Sequence, residues 1–370
     1  MIKKLSAPLI ALGLAFAGIS PCAAQSDKPW PAEKAWEWYN KQPWIVGCNF
    51  LPSTAINSVE MWQAETFDPA TIDRELGWAS GLGFNSVRVF LNYVVWKADP
   101  DGQKKRFEEF LKIADKHGIS VMPVLFDDVA FTGRQPVLGK QPDPIPGVHN
   151  SGWVPSPGKA LVVDKNAWPD LEQYVKDMVG SFREDRRIII WDLYNEPGGF
   201  NMGEGSRPLM EATFEWSRAM NPVQPLTVGA WVNTADPKMA SLFPYQKRMF
   251  ELSDIVSFHG YEEGAEFEAK IKVCNEYGRP VVCTEWMHRP MNNKIEDLMP
   301  MFRERKIGCY NWGLVAGRTQ TYLDWKSRRG DPLPAVWQHD LFHSDGKPYS
   351  AEEVALIEQL TGRTKAPADK

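Results

Sequence analysis

The sequence predicts an α/β chain folded as a (β/α)8 (TIM) barrel. After residue 43, short apolar segments recur along the chain, and amphipathic stretches lie between them. Most of the apolar segments are aliphatic throughout rather than alternating, as expected for strands covered on both faces in a parallel sheet. Strand–helix alternation repeated eight times argues for a closed barrel over an open sheet.

The strand candidates in chain order are WIVGCNF (44–50), SVRVFL (86–91), SVMPVLF (120–126) and RIIIWDLY (187–194). They continue with PLTVGAW (225–231), DIVSFHG (254–260), PVVCTEW (280–286) and GCYNWGL (308–314). Between the second and third, GQKKRFEEFLKIADKHG sets Phe107, Phe110, Leu111 and Ala114 on one helical stripe and stops at Gly118. EEGAEFEAKIKVCNEYG repeats the device with Phe267, Ile271 and Cys274, stopping at Gly278, and AEEVALIEQLTG supplies a last helix. Two connections are long. Residues 127–165 are rich in Pro and Gly and carry His149 and Trp153; residues 315–345 carry Arg318, Gln320, Trp325 and Trp337. They follow the third and eighth strands, so they should overhang the face where barrel active sites form, as a binding wall or as solvated insertions.

The amino-terminal MIKKLSAPLIALGLAFAGISPCAAQS joins Lys3 and Lys4 to an apolar run and the small residues Cys22-Ala23-Ala24. This pattern is expected to be a signal peptide over residues 1–24, with one catalytic-size domain over 25–370 exported to the periplasm or exterior. The run is shorter than the ~20 residues of a membrane span, and Pro21 fits lipid attachment at Cys22 badly. A net charge of −5 gives no footprint for nucleic acid or an anionic membrane. Sixteen Trp and ten Tyr offer flat faces that pack in cores and also stack on sugars. Cys48, Cys274, Cys283 and Cys309 are expected as buried free thiols. Without CxxC or HExxH spacing, no metal or other cofactor is expected.

Two carboxylates stand at strand ends: Glu196 in YNEPGG after the fourth, and Glu285 in VVCTEW on the seventh. A protonated carboxyl and an ionised one facing a single cavity are what glycosidic cleavage needs. Burial and mutual repulsion can separate their pKa values so that both forms coexist near neutral pH.

These motifs, over residues 44–362, resemble the clan A glycoside hydrolases of the cellulase-like type, glycoside hydrolase family 5. The resemblance implies a retaining β-glycosidase with Glu196 as acid/base and Glu285 as nucleophile. It implies Asn195 on the sugar 2-hydroxyl, Arg88 steadying the nucleophile, His259 and Tyr261 as a polar pair beside it, and Trp312 as a platform under the sugar. Structural alternatives are a satisfied buried histidine at His259 and core packing at Trp312. The third strand departs from the family by ending LFDDVAF, where Asp127 and Asp128 would bond sugar hydroxyls, bind a cation or cap a turn. Around the first strand, Asn49, Ser53 and Trp62 differ from ordinary cellulases and are expected to define an unusual terminal subsite. Trp153 is expected in the binding wall. The partner is a carbohydrate of glucan, mannan or xylan type, and closure of one cleft end by the long loops would favour release of short units from chain ends. A transglycosylase built on the same residues and a non-catalytic sugar-binding barrel are the alternatives.

Overall fold

A computed structural model describes residues 28–231 and 244–363. Its eight strands are β1 Val46–Asn49, β2 Ser86–Phe90, β3 Ser120–Asp127, β4 Trp191–Asn195, β5 Leu226–Trp231, β6 Val256–His259, β7 Val281–Trp286 and β8 Gly308–Trp312. They form a closed barrel in sequence order, and β1 pairs in parallel with both β2 and β8. The predicted fold class is therefore the observed one. The aliphatic run before the fourth strand begins earlier than the strand itself: Ile188 makes only an isolated bridge to Val121, and regular pairing starts at Trp191.

The predicted helices lie at Pro100–Lys116, Gly264–Asn275 and Ala351–Thr361. The first buries Phe107, Phe110, Leu111 and Ala114 against the barrel, and the Asp99 carboxylate caps its start by accepting from Gly102 N. At the amino-terminal end of the strands, Ile45, Met122, Ile190, Ile255, Val282 and Tyr310 cluster with Ala35 and Tyr39 of the helix Ala32–Asn40. This apolar layer closes the barrel below, so polar side chains inside it are confined to the layers above. Cys48, Cys274, Cys283 and Cys309 are free and buried. The expected signal peptide lies outside the described residues, and among those described no helix is long and apolar enough to cross a membrane.

Three strand pairs shift register near their carboxyl ends: β4/β5 between Asp192 and Asn195, β6/β7 between Phe258 and His259, and β7/β8 between Cys283 and Trp286. Such irregularities re-aim side chains, and here they sit where Asn195, Glu196, His259 and Glu285 leave the sheet.

At Gly47 the backbones of β1 and β2 approach so closely that a Cβ would lie 1.7 Å from the Ser86 carbonyl oxygen. Gly47→Ala is therefore expected to lower unfolding free energy by about 3 kcal/mol, seen as a lower urea midpoint at unchanged slope.

Candidate active site

The β4 strand delivers Asn195 and then turns sharply. Glu196 takes a left-handed backbone conformation (φ 45°), uncommon for a residue with a side chain, and its N–H donates to the Gly229 carbonyl at 2.8 Å. The turn is completed by Gly199 N–H donating to Glu196 O at 2.8 Å. Across the mouth, Glu285 projects from the end of β7 and is only 6% exposed.

Between them lies the fully buried Arg88 on β2. Its Nε donates to Asp192 Oδ2 (2.9 Å), its Nη1 to Asn49 Oδ1 and Glu285 Oε1 (both 2.8 Å), and its Nη2 to Asn195 Oδ1 (2.6 Å). Arg88 Nη2 also lies 2.8 Å from Asp192 Oδ2. One guanidinium thus ties β1, β2, β4 and β7 together, a geometry its planar fork of donors suits. Gly229 makes room for it: a Cβ there would lie 2.8 Å from Arg88 Nη2 and 2.9 Å from His259 Nε2.

Tyr261 Oη donates to Glu285 Oε2 at 2.8 Å, so each oxygen of this carboxylate has a donor. Glu196 Oε1 has one close partner, His259 Nδ1 at 2.8 Å, which also lies 3.5 Å from Glu285 Oε2. His259 Nε2 is buried without a partner. A lone pair left there costs less than an orphaned N–H, so the proton belongs on Nδ1. The segment carrying His259 and Tyr261 is held from behind by buried Lys270. Its ammonium donates to His259 O (3.2 Å) and Glu262 Oε1 (2.8 Å), and Asn293 Nδ2 donates to the Glu262 carbonyl at 2.6 Å.

One donor atom each from Glu196, His259 and Glu285 lies within 4.8 Å of the others, so the two carboxylates face a single point. These are also the one His/Cys/Asp/Glu group among the described residues close enough to share a cation. Arg88, Tyr261 and His259 already donate to three of their four carboxylate oxygens, and the guanidinium would repel a metal. Burial pushes the Glu196 carboxyl up to about 7, against the pull of Arg88 and Lys270. Burial also raises Glu285 above 4.5, with Glu196 pushing the same way and Arg88 and the Tyr261 hydrogen bond opposing. Burial lowers His259 to about 3, so its ring is neutral.

The carboxylates open into a cavity of about 270 Å³, lined among others by Asn195, Tyr261, Trp153 and Trp312. Trp153 and Trp312 meet edge to face at 5.7 Å, and each also contacts Phe90.

Five residues expected at the sugar are placed otherwise, Asp127 and Asp128 in the turn-capping role that was their alternative. Asp127 turns under the loop, where its oxygens accept from Asn195 Nδ2 (2.8 Å), Val129 N (2.9 Å) and Trp153 Nε1 (2.7 Å). Asp128 accepts from Tyr194 Oη (2.7 Å), Gly198 N (2.8 Å) and Ser206 Oγ (2.5 Å), fixing the turn after Glu196. Both are buried off the cavity: the chain pairs back at Ser156 beside Asp127, and the segment from Tyr194 to Ser206 encloses Asp128. Trp62 is fully buried against Phe107 and Phe110, its Nε1 donating to Phe90 O at 2.7 Å, and is a core residue. Asn49 serves Arg88 and donates to Thr284 O at 2.8 Å, so it orients the network and does not line the sugar cavity. Ser53 is likewise taken up by buried Glu75.

Asp192 and Gly229 escaped sequence reading, although an acid inside an aliphatic strand was a usable signal for a buried partner of Arg88. Phe131, Phe200, Trp231 and His339, which also line the cavity, gave none.

A closed parallel barrel with two convergent carboxylates over an aromatic floor is the architecture of an O-glycosyl hydrolase. The chain belongs to glycosyl hydrolase family 5, the cellulase family, whose model matches residues 59–317. No curated protein matches it in sequence. Among solved structures it is similar to the GH5_18 protein of Streptomyces cattleya in complex with GlcNAc, at 13% identity over 88% of this chain and 82% of that one, TM-score 0.57. It is also similar to an exo-β-1,4-mannosidase from Opitutaceae bacterium strain TAV5 (18%, 86% and 60%, TM-score 0.58). A third is an endo-β-1,4-mannanase from Thermotoga petrophila (15%, 88% and 77%, TM-score 0.55). At these identities the likeness concerns the fold.

Tyr261→Phe removes a hydrogen bond that favours ionised Glu285. The acid limb of the activity–pH profile should move up by about one unit, while a limb set by Glu196 stays in place.

Proposed function

We propose that this glycoside hydrolase cleaves a β-linked, uncharged glycoside by double displacement with retention of anomeric configuration. The observation that carries the reading is the pair of carboxylates converging within 4.8 Å in unlike surroundings. Retaining enzymes hold the two groups ~5–5.5 Å apart, whereas inverting ones need ~6.5–9.5 Å to admit water between them.

Glu285, with a donor on each oxygen, is held ionised and attacks the anomeric carbon. The glycosidic C–O bond breaks as the Glu196 proton passes to the leaving oxygen. In the second half, Glu196 takes a proton from water, the water oxygen attacks the anomeric carbon, and the ester to Glu285 breaks. A carboxyl near pH 7 suits a group that must give and then take a proton. Neutral His259 donates Nδ1–H to Glu196 without competing for the transferred proton. Asn195 accepts from Arg88 and gives one amide hydrogen to Asp127, leaving its second for a sugar hydroxyl. Trp312 and Trp153 supply the apolar face on which the ring stacks.

No Lys or Arg lines the cavity among the described residues, so a uronic acid carboxylate would lack a partner there. Mannan, glucan and xylan are the candidate classes. Two similar structures are named as β-1,4-mannan enzymes, which puts aryl β-mannosides first in a screen. The amino-terminal segment supports export as a further part of this proposal.

Product configuration followed by NMR tests the mechanism: the first-formed sugar should retain the β configuration, and an inverted product would refute double displacement. Glu285→Ala should abolish turnover of every substrate. Glu196→Ala should cost ~10²–10⁴-fold on poor leaving groups and far less on activated aryl glycosides. Wild-type kcat/KM should be bell-shaped. It falls above about pH 7 as Glu196 loses its proton, and at low pH as Glu285, raised above 4.5, gains one. The alkaline limb should vanish in Glu196→Ala.

A further inference from the structure

Resting on the hydrolysis proposed above, we infer that the two long loops make the cleft a blind pocket for one terminal sugar. The enzyme then removes residues from the non-reducing end, and His149 is the group that reads the chain terminus.

The loop over residues 128–158 leaves β3 and that over 313–350 leaves β8, so β1 and β2 lie between their bases. The loops meet above that sector. Asn150 N donates to Thr319 O at 2.8 Å. The Gln320 amide accepts from Gly147 N (3.2 Å) and donates to Ile145 O (2.8 Å) and Val148 O (3.1 Å). His149 Nδ1 lies 2.7 Å from Leu323 O. From there His149, Trp325 and His339 carry the cavity wall round toward β6 and β7, where Trp325 packs on Tyr261 at 5.0 Å and on His288 at 4.5 Å. Beside β4 and β5 the rim is formed by exposed Phe200 (39%) and Trp231 (49%); on the loop side Trp325 (38%) and Phe131 (40%) also reach solvent, but His149 and His339 beneath them are buried and close the cavity.

This asymmetry gives the substrate a direction. Glu196 must stand beside the leaving oxygen, and it stands on the β4 side with the exposed rim. The leaving group therefore extends over Phe200 and Trp231, and the sugar that becomes attached to Glu285 sits over Trp312 against the knitted loops. A second sugar on its non-reducing side would have to occupy the space of His149 and Trp325. The volume of about 270 Å³ lies below the ~300–1,000 Å³ of clefts that take larger ligands.

The wall has its own chemistry. A carbonyl oxygen only accepts, so His149 carries its proton on Nδ1 toward Leu323 O. Burial lowers this ring to about 4, so it is neutral and Nε2 presents a lone pair. Among the described residues no protein donor occupies that nitrogen, and the residue lines the cavity. A free hydroxyl on the terminal sugar can donate to it; an oxygen already joined to another sugar has no hydrogen to give. His339 is equally committed, with Nδ1 on Met287 O (2.5 Å) and Nε2 on the Gln338 amide nitrogen (2.6 Å).

The test compares aryl β-monosides and aryl β-1,4-biosides of mannose and glucose, reading direct release of the aryl group in the first turnover. The monoside should be cleaved at least about 100-fold more efficiently than the bioside of the same sugar; an equal or better bioside would overturn the blind pocket. Gln320→Gly keeps the left-handed backbone (φ 54°) while deleting the pins between the loops. It should raise the bioside-to-monoside ratio about tenfold; an unchanged ratio would remove the loops as the barrier. His149→Ala should lower monoside kcat/KM about tenfold, and His149→Gln, which keeps an acceptor, should recover most of it. No loss in His149→Ala would overturn the role of His149. Absence of Glu285-dependent release from every monoside and every bioside would instead sink the hydrolase reading, and this proposal with it.

Discussion

A single buried cation organises the interior above the apolar floor of the barrel. Arg88 has no access to water and must find all its partners among strand side chains, which it does on β1, β4 and β7. Removing one partner from such a buried arrangement typically costs about 3–5 kcal/mol, so the strands are tied to one relative placement. The same contacts set the charge of the site. Asp192 and Glu285 are two anions facing one guanidinium, which leaves a net negative charge at the mouth. The glycine at position 229 follows from this crowding, since any side chain there would strike both Arg88 and His259.

The two glutamates differ through their neighbours rather than their identity. Glu285 is flanked by a guanidinium and a phenol that both favour its ionised form, whereas Glu196 has a neutral imidazole and a strained turn. In the proposed mechanism that contrast separates the group that carries charge from the one that carries a proton. Supporting residues extend the order outward. Asp127 orients the Asn195 amide, Asp128 fixes the turn after Glu196, and the Lys270–Glu262 pair braces the His259–Tyr261 segment.

The barrel was legible because its strands are buried on both faces and therefore aliphatic, and because each helix repeats an apolar stripe. Glu196 and Glu285 were legible because strand order assigns strand ends to one rim. Side chains on the long loops were harder to place, since loop paths obey no period. Asp127 and Asp128 look like cavity carboxylates at a strand end, yet the chain doubles back through Ser156 over the first and the turn after Glu196 takes up the second. Trp62 reads as part of a terminal subsite but fills the gap between barrel and helix at Phe107 and Phe110. The meeting of His149 with Leu323 joins positions far apart in sequence, and no local pattern announces it.

The most direct test is to trap the glycosyl-enzyme. A 2-deoxy-2-fluoro β-glycoside with an activated leaving group, built on whichever sugar the enzyme cleaves, should inactivate it. Mass spectrometry of the digest should then find the sugar esterified to Glu285. Label on Glu196, or continued turnover to inverted product without any labelled peptide, would contradict the account.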